Sequence, residues 1–404
     1  VRIYRGLPPE VRALSGVAFM VALGFGLVAP ALPLFAAEFG VSKAAAGAVV
    51  SAFALMRLVV APFVGRLVNA FGERVLLATG IGIVAVSSAL AGLSQSYWQL
   101  LVLRGAGGAG SIMFSVSAVS LLVRVTPNHL RGRAQGVWAG SFLIGMVAGP
   151  AVGTVATFSL RLPFFLYAGT LVVAGLLGLG ALRHSELAAR QSVRTEPLAL
   201  SVALRNRAYL GALAAAFAGA FAFIGARSAL VPLYVRDSLH LSSNWAYAAF
   251  LVVSLVSGAL LLPTGKVADT VGRRPVIVVG LLVGAVAFLL LPTLPAKTGL
   301  VAVMVLVGVA AAADSVAPGA MMGDVVAGRG GTVVAVFQMA GDLGLVLGPV
   351  VTGWVVDNAG YPPAFAVCAA VCAVPVFAVL AAPETLHRVS TPAPADPQIR
   401  GSLP

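Results

Sequence analysis

A glycine-bearing segment of ten residues occurs twice in this chain, 200 positions apart. Gly65-Arg66-Leu67-Val68-Asn69-Ala70-Phe71-Gly72-Glu73-Arg74 is echoed by Gly265-Lys266-Val267-Ala268-Asp269-Thr270-Val271-Gly272-Arg273-Arg274. Both copies read Gly-x3-(Asn/Asp)-x2-Gly-x-Arg. Each follows an apolar run that closes near a proline (Pro62, Pro263) and precedes another apolar run. A period of 200 in a chain of 404 residues describes two copies of one half. Halves of that size, made of apolar runs, are the pattern of a membrane transporter built from repeats.

Composition agrees with a lipid solvent. Hydrophobic residues make up 60% of the chain and charged residues 10%, against about 25% charged in a soluble domain. The net charge of +13 would suggest nucleic acid in a soluble protein, but the basic residues lie in short loops between apolar runs, so no nucleic-acid partner is expected. Two cysteines, Cys368 and Cys372, share one apolar run and read as small buried hydrophobes rather than a disulfide framework.

A helix needs about 20 apolar residues to cross a bilayer. Twelve such runs are expected, at 13–35, 44–64, 75–94, 98–123, 134–157, 163–182, 208–235, 243–263, 275–294, 298–323, 332–356 and 361–382. The first is too long for the core of a cleavable signal and reads as a span. Of the 26 Lys and Arg residues, Lys43, Arg161, Arg236 and Lys297 fall on one side of the membrane, Arg57, Arg104 and Arg227 fall within spans, and the other 19 fall on the side of the N-terminus. The positive-inside rule then places both termini in the cytoplasm and the chain in the cytoplasmic (inner) membrane, multi-pass. The expected organisation is an N-terminal six-helix bundle (1–182), a cytoplasmic linker (183–207), a C-terminal six-helix bundle (208–383) and a cytoplasmic tail (384–404). The fold class is all-α: twelve transmembrane helices in two pseudo-symmetric bundles around a central cavity.

Further landmarks repeat at the same offset. Leu32-Pro33-Leu34-Phe35 in span one matches Val231-Pro232-Leu233-Tyr234 in span seven. Gly145-x3-Gly149-Pro150-x2-Gly153 in span five matches Gly344-x3-Gly348-Pro349-x3-Gly353 in span eleven. On these motifs the chain resembles the major facilitator superfamily over roughly residues 12–382. Gly65, Asn69, Gly72 and Arg74 fall on the family's loop signature, and Gly265, Asp269, Gly272 and Arg273 on its second copy. Leu103-Arg104-Gly105-Ala106-Gly107-Gly108 resembles the span-four arginine motif. Gly136, Gly145, Gly149, Pro150 and Gly153 resemble the span-five motif of the twelve-span drug/proton antiporter group. The resemblance implies a gate at the cytoplasmic loop, a proton-relay role for Arg104 and a monomer. Asn69 departs from the family's acid, and Ala70 from its arginine, so the gate is expected either to rely on the second loop or to be weaker.

The residues support these roles physically. Gly72 and Gly272 permit a tight turn, and Arg74, Arg273 and Arg274 meet the anionic inner leaflet. Glycines at 145, 149 and 153 form one stripe that lets another helix backbone come close, and Pro150 frees a carbonyl in the same span. Charges inside spans cost a few kcal/mol unless paired or wetted, so Asp342, Asp314, Arg104, Arg227 and Arg57 are the candidate proton-coupling or substrate-binding residues. Asp342 and Asp314 both come out near the midplane, about 15 Å from the inner ends of their spans. Arg57 lies nearer the inner end of span two, within reach of snorkelling to the interface. Asp324 is expected at an interface or gate, Tyr97, Trp98, Trp245 and Tyr247 in an interfacial belt, and Trp138, Phe142 and Phe337 along the cavity.

The expected function is secondary active export of small amphiphilic molecules, drugs or secondary metabolites, in exchange for protons. Its partners are then the lipid bilayer, a small-molecule substrate and protons. The alternatives are a proton-coupled metabolite uptake symporter and a non-transporting membrane receptor. No Walker motif, metal-ligand set or histidine within a span is present, so no cofactor, metal site or enzymatic activity is expected.

Overall fold

The computed structural model describes residues 7–126, 130–155, 159–182, 200–294, 297–326 and 331–386. Among these residues there is no strand, and twelve helices are long and apolar enough to cross a membrane. In chain order they are α1 (Pro9–Ala37), α2 (Lys43–Phe71), α3 (Glu73–Gly92), α4 (Tyr97–Val125), α5 (Arg131–Val155) and α6 (Leu162–Leu182). The second half follows with α7 (Arg207–Asp237), α8 (Ser243–Thr270), α9 (Arg273–Leu290), α10 (Lys297–Val326), α11 (Gly331–Ala359) and α12 (Tyr361–Leu380). One turn of helix, Leu200–Ala203, precedes α7. Most of the expected linker, and all but the first residues of the expected tail, lie outside the described residues.

Local chemistry sets the boundaries. The Ser42 hydroxyl accepts from the Ala45 N–H at 3.2 Å, and the Asn206 side chain accepts from the Ala208 N–H at 2.9 Å, capping α2 and α7. Gly72 and Gly272, at φ of 79° and 135°, separate α2 from α3 and α8 from α9. Only glycine adopts such backbone angles without strain, which is why the repeated loop keeps both.

Each half has a core of its own, and Leu233 of α7 reaches into the first. One is built from α1 to α6 around Leu14, Phe35, Phe164 and Tyr167. The other is built from α7 to α12 around Phe223, Phe288, Phe365 and Met304. Cys368 and Cys372 are buried in the second. The repeat extends to backbone packing. A Cβ at Gly149 of α5 would stand 2.5 Å from the Leu23 carbonyl oxygen of α1, and one at Gly348 of α11 would stand 2.5 Å from the Phe221 carbonyl oxygen of α7. Gly145 against Phe19 and Gly344 against Phe217 repeat the approach one turn away. Gly145 and Gly149, like Gly344 and Gly348, thus let two helix backbones come close within one half. Gly136 differs, because no atom among the described residues stands within 4 Å of a Cβ there.

The ends bearing the loops α1–α2, α3–α4, α5–α6 and their repeats are called outer below, after the charge count. At this end the halves meet through α2 with α11 and α5 with α8. Gly47 of α2 lies under the Pro349 carbonyl, Gly353 of α11 lies against Lys43 and Ala44, and Gly153 of α5 receives the ring of Tyr247. Tyr247 is thus 1% exposed and wedged between halves, not in an interfacial belt. Trp98 does lie at the outer surface, 70% exposed. Trp245, partly buried against the second core, takes Lys297 over its ring at 5.4 Å.

Candidate functional site

Arg57 does not snorkel. Its Nε lies 3.6 Å from Asp342 Oδ1 across the boundary between halves, and its Nη1 donates to Ser111 Oγ of α4 at 2.9 Å. Both partners of the ion pair are mostly buried, with side chains 22% and 16% exposed. By rise per residue Asp342 sits about 16 Å along α11 from Gly331 and Arg57 about 21 Å along α2 from Lys43. The pair thus ties α2 to α11 near mid-depth. A docking angle between halves creates this contact, and no pattern in the sequence encodes that angle.

Asp314 is separate from that pair. Its carboxylate rests against Gly219 of α7, inside the second half, where a side chain on Gly219 would overlap it. Oδ1 is buried and has no hydrogen-bond donor among the described residues.

Arg104 of α4 is 4% exposed and stacks over Phe53 of α2, its guanidinium carbon 4.6 Å from the ring centre. It faces a narrow pocket between the halves, lined also by Phe25, Ile224, Ser228 and Leu345. Arg227 follows a widened π-helical stretch of α7, Ala220–Ala226. Such stretches recur at functional positions. Its Nε donates to the Phe223 carbonyl at 2.6 Å, and its guanidinium lies 4.3 Å from the centre of Phe250. The structure therefore brings Arg57 to Asp342, places Arg104 at the pocket between halves, and leaves Asp314 on its own. Trp138 and Phe142 stack at 6.1 Å, and Trp138 packs against the first core while Phe337 packs against the second.

Two further clusters lie at the ends of the bundle, and the outer one was not anticipated. At the outer end, Asp357 of α11 accepts from the backbone N–H groups of Lys43 (2.8 Å) and Ala44 (2.9 Å), capping α2 of the other half. Lys43 Nζ pairs with Asp237 of α7. Asp237 also takes Arg236 Nε at 2.8 Å and the Tyr361 hydroxyl at 2.8 Å. Ser51 Oγ donates across the halves to the Val346 carbonyl at 2.6 Å. The outer side is thereby clasped shut.

At the inner end, each half ties its repeated loop to its own fourth helix. In the first half Glu73 pairs with Arg124 and accepts from Ser120 Oγ at 3.0 Å. In the second, Arg273 pairs with Asp324 at 3.0 Å and with Asp269 at 3.1 Å. Positions 73 and 273, and 124 and 324, share the 200-residue offset with their charges exchanged. That offset was readable in the sequence. The Asn69 side chain lies outside the described residues, so its part in the loop is not described.

Twelve membrane-spanning helices in two glycine-matched halves, clasped at one side with charges held between them, define a polytopic membrane transporter fold. Residues 14–261 and 228–403 match the model of the Major Facilitator Superfamily, and the chain belongs to that family. Among curated proteins it is 31% identical over 169 residues to Multidrug resistance protein 1 of Bacillus subtilis (strain 168), covering 42% of this chain and 43% of that protein. It is 29% identical over 160 residues to Quinolone resistance protein NorA of Staphylococcus aureus (strain MRSA252), covering 39% and 41%. The chain thus spans about two fifths of the length of the curated relatives it matches. Among solved structures it resembles the nucleoside transporter NupG, with TM-score 0.73 at 15% identity, covering 92% of this chain and 98% of that one. It also resembles a bacterial homologue of the human lysosomal transporter Spinster, with TM-score 0.71 at 16% identity, covering 92% and 94%. At such identities these structures speak for the fold. The drug-resistance relatives agree with the group that the span-five motif indicates.

Proposed function

We propose that this transporter exports small amphiphilic molecules, drugs or secondary metabolites, in exchange for protons by alternating access. It sits in the cytoplasmic membrane with both termini inside and acts as a monomer. The observation that carries the coupling is the Arg57–Asp342 pair, an ion pair between halves near mid-depth. Protonating Asp342 removes the charge that holds Arg57 across the boundary. Arg57 keeps Ser111 as a partner in its own half, so the tie opens without stranding the cation. Deprotonation restores the tie. A proton at Asp342 thereby biases which arrangement of the halves is populated, which is what coupling requires. Asp314 is the second candidate carrier, because its Oδ1 lacks a donor among the described residues. At the inner side the gate relies on the second loop, where Asp269, Arg273 and Asp324 form a continuous ion-pair chain. The drug-resistance names of the relatives support efflux as the direction.

The test is proton-coupled flux in liposomes with an internal pH reporter, using lipophilic cations, neutral drugs and organic acids on wild type and Asp342→Asn. Substrate-dependent proton movement that disappears in the variant is expected. Proton movement that survives the substitution moves the carrier to Asp314. Substrate flux without proton movement in wild type refutes antiport.

A further inference from the structure

The first helices of the two halves do not match along their whole length, and the mismatch is one residue. Toward the inner side, the carbonyls that face the glycine stripe are those of Phe19 and Leu23 in α1. In α7 they are those of Phe217 and Phe221, 198 positions on. Further out, a Cβ at Gly26 would stand 3.0 Å from Pro150 Cδ, and one at Gly225 would stand 3.0 Å from Pro349 Cδ. Gly225 follows Gly26 by 199 positions, as Pro232 follows Pro33. Between Phe221 and Gly225, α7 therefore carries one residue more than α1. The π-helical stretch Ala220–Ala226 covers that place, whereas α1 is an α-helix throughout. A single widened turn absorbs the extra residue and leaves both flanks in register.

The insertion removes a backbone bond. In an α-helix the Phe223 carbonyl would take the Arg227 N–H. Here that N–H goes to the Ala222 carbonyl, five residues back, and to that of Ile224. The side chain of the same residue replaces it, because Arg227 Nε donates to the Phe223 carbonyl at 2.6 Å. Ser228 Oγ likewise donates to the Ile224 carbonyl. Within a membrane, a carbonyl freed from the helix ladder needs a partner inside the protein, so the widened turn depends on the Arg227 side chain. The ring of Phe250 in α8 holds that guanidinium from the other side.

The stretch also divides α7 into two limbs with different ties. The inner limb belongs to the second half: Gly219 lies against Asp314, and the Tyr209 hydroxyl donates to the Val333 carbonyl at 2.7 Å. The outer limb packs in the second core through Leu230 and Tyr234. It also engages the first half, with Leu233 in the first core and Asp237 paired with Lys43. Opening the outer side must part this limb from the first half, while the inner limb has no such tie to release. Helices bend at turns widened in this way.

We propose that the π-helical stretch is the hinge on which the outer limb of α7 tilts when the outer side opens. Arg227 is the positioning residue that holds this hinge in the closed arrangement through its bond to Phe223, and is not a ligand for substrate or proton. The inference rests on the alternating-access reading for the word opening, but its test uses no substrate, gradient or flux.

Full-length protein in detergent would be compared in four forms: wild type, Arg227→Met, a chain lacking Ala222, and the two changes together. Removing Ala222 brings α7 to the register of α1 and returns the Arg227 N–H to the Phe223 carbonyl. This shortened chain is expected to fold and to melt within a few degrees of wild type, because both limbs keep their contacts. Arg227→Met is expected to lower the melting midpoint by about 2–4 °C more in the full chain than in the shortened one, the size of one stranded carbonyl. Spin labels at Gln95 and Thr293, at the outer ends of the two halves, report opening by pulsed distance measurement. Arg227→Met should raise the weight of the longer separation several-fold in the full chain and leave it unmoved in the shortened one. Arg227→Gln sets an amide nitrogen where Nε stood and should match wild type in both readings. Arg227→Lys keeps the charge but has carbon at that place, so it should match Arg227→Met, and it stands in if that variant fails to fold. A shortened chain that does not fold overturns the proposal, because the extra residue is then not an insertion between intact flanks. Equal effects of Arg227→Met in both chains, or an unmoved distance distribution, overturn it too. So does Arg227→Gln behaving as Arg227→Met, which would return the role to the charge. Loss of proton-coupled flux would refute the exporter and leave this hinge standing, whereas equal effects in both chains would remove the hinge and leave the exporter.

Discussion

The span-five motif separates into residues that differ in what surrounds them, and Gly149→Ala against Gly136→Ala measures that difference. A Cβ at position 149 would lie 2.5 Å from the Leu23 carbonyl oxygen and 2.7 Å from Gly26 Cα, both backbone atoms that cannot rotate away. Ordinary contact begins near 3.4 Å, so α1 and α5 must separate by most of an ångström along their shared stripe. Overpacking of this kind costs about 1–3 kcal/mol, and the better helix propensity of alanine returns up to about 1 kcal/mol of it. At position 136 no atom among the described residues lies within 4 Å, and only the propensity gain remains. For a cooperative unit the size of one half, each kcal/mol moves the melting midpoint by about 2–4 °C. Gly149→Ala is therefore expected to melt several degrees below wild type, and Gly136→Ala at or slightly above it. Gly348→Ala, facing the Phe221 carbonyl at 2.5 Å, should behave like Gly149→Ala. Unfolding followed by intrinsic fluorescence in detergent, at one fixed scan rate because such unfolding is irreversible, gives the comparison. Equal losses at 136 and 149, or a midpoint unmoved in Gly149→Ala, would refute the close-approach account of the motif.

Asp357→Ala removes the acceptor for two backbone N–H groups at the start of α2, and is expected to raise the population open at the outer side about fivefold. Spin labels at Gln95 and Thr293, read by pulsed distance measurement, should show the longer separation gaining weight. Glu384 gives a pH signature. Burial pushes its carboxyl up, but the N–H groups of Arg273, Leu386, Arg274 and Thr385 outweigh burial and hold it below its ordinary 4.5. A depressed carboxyl contributes stability that is present above the ordinary value and lost as pH falls through the lowered one. Wild type should therefore melt above Glu384→Gln at neutral pH, and the two should converge only as pH drops below 4.5; a gap that is constant with pH would contradict this.

Much of the fold was legible because it follows from local chemistry. Twelve spans follow from run length, the sharp inner turns from Gly72 and Gly272, and the α1–α5 and α7–α11 approaches from glycines four residues apart. The site was less legible, because its contacts depend on how the halves dock. Arg57 reads as a snorkelling residue when its span is considered alone, and only the docked partner turns it toward Asp342. Tyr247 reads as an interfacial aromatic until Gly153 of the other half provides the notch that buries it. Lys43, Asp237 and Asp357 come from three helix ends, and loop sequence alone does not bring them together.

The exchanged charges of the two inner loops account for a feature that the repeat alone does not. Glu73 opens α3 and Arg273 opens α9, each just after its positive-φ glycine. A carboxylate at a helix N-terminus is favoured by the aligned peptide dipoles, and a guanidinium there is disfavoured. Exchanging the pair Glu73–Arg124 for Arg273–Asp324 keeps the tie to the fourth helix but places the wrong charge on the start of α9. Glu384 corrects this from beyond α12: it accepts the N–H groups of Arg273 (2.9 Å) and Arg274 (3.0 Å), supplying the negative charge that Glu73 provides within its own loop. Thr385 then bonds Asp324 at 2.8 Å, closing the cluster. The second loop is therefore tied to α10 and to the chain after α12 at once. A movement of α8 and α9 at the inner side must carry or break that joint.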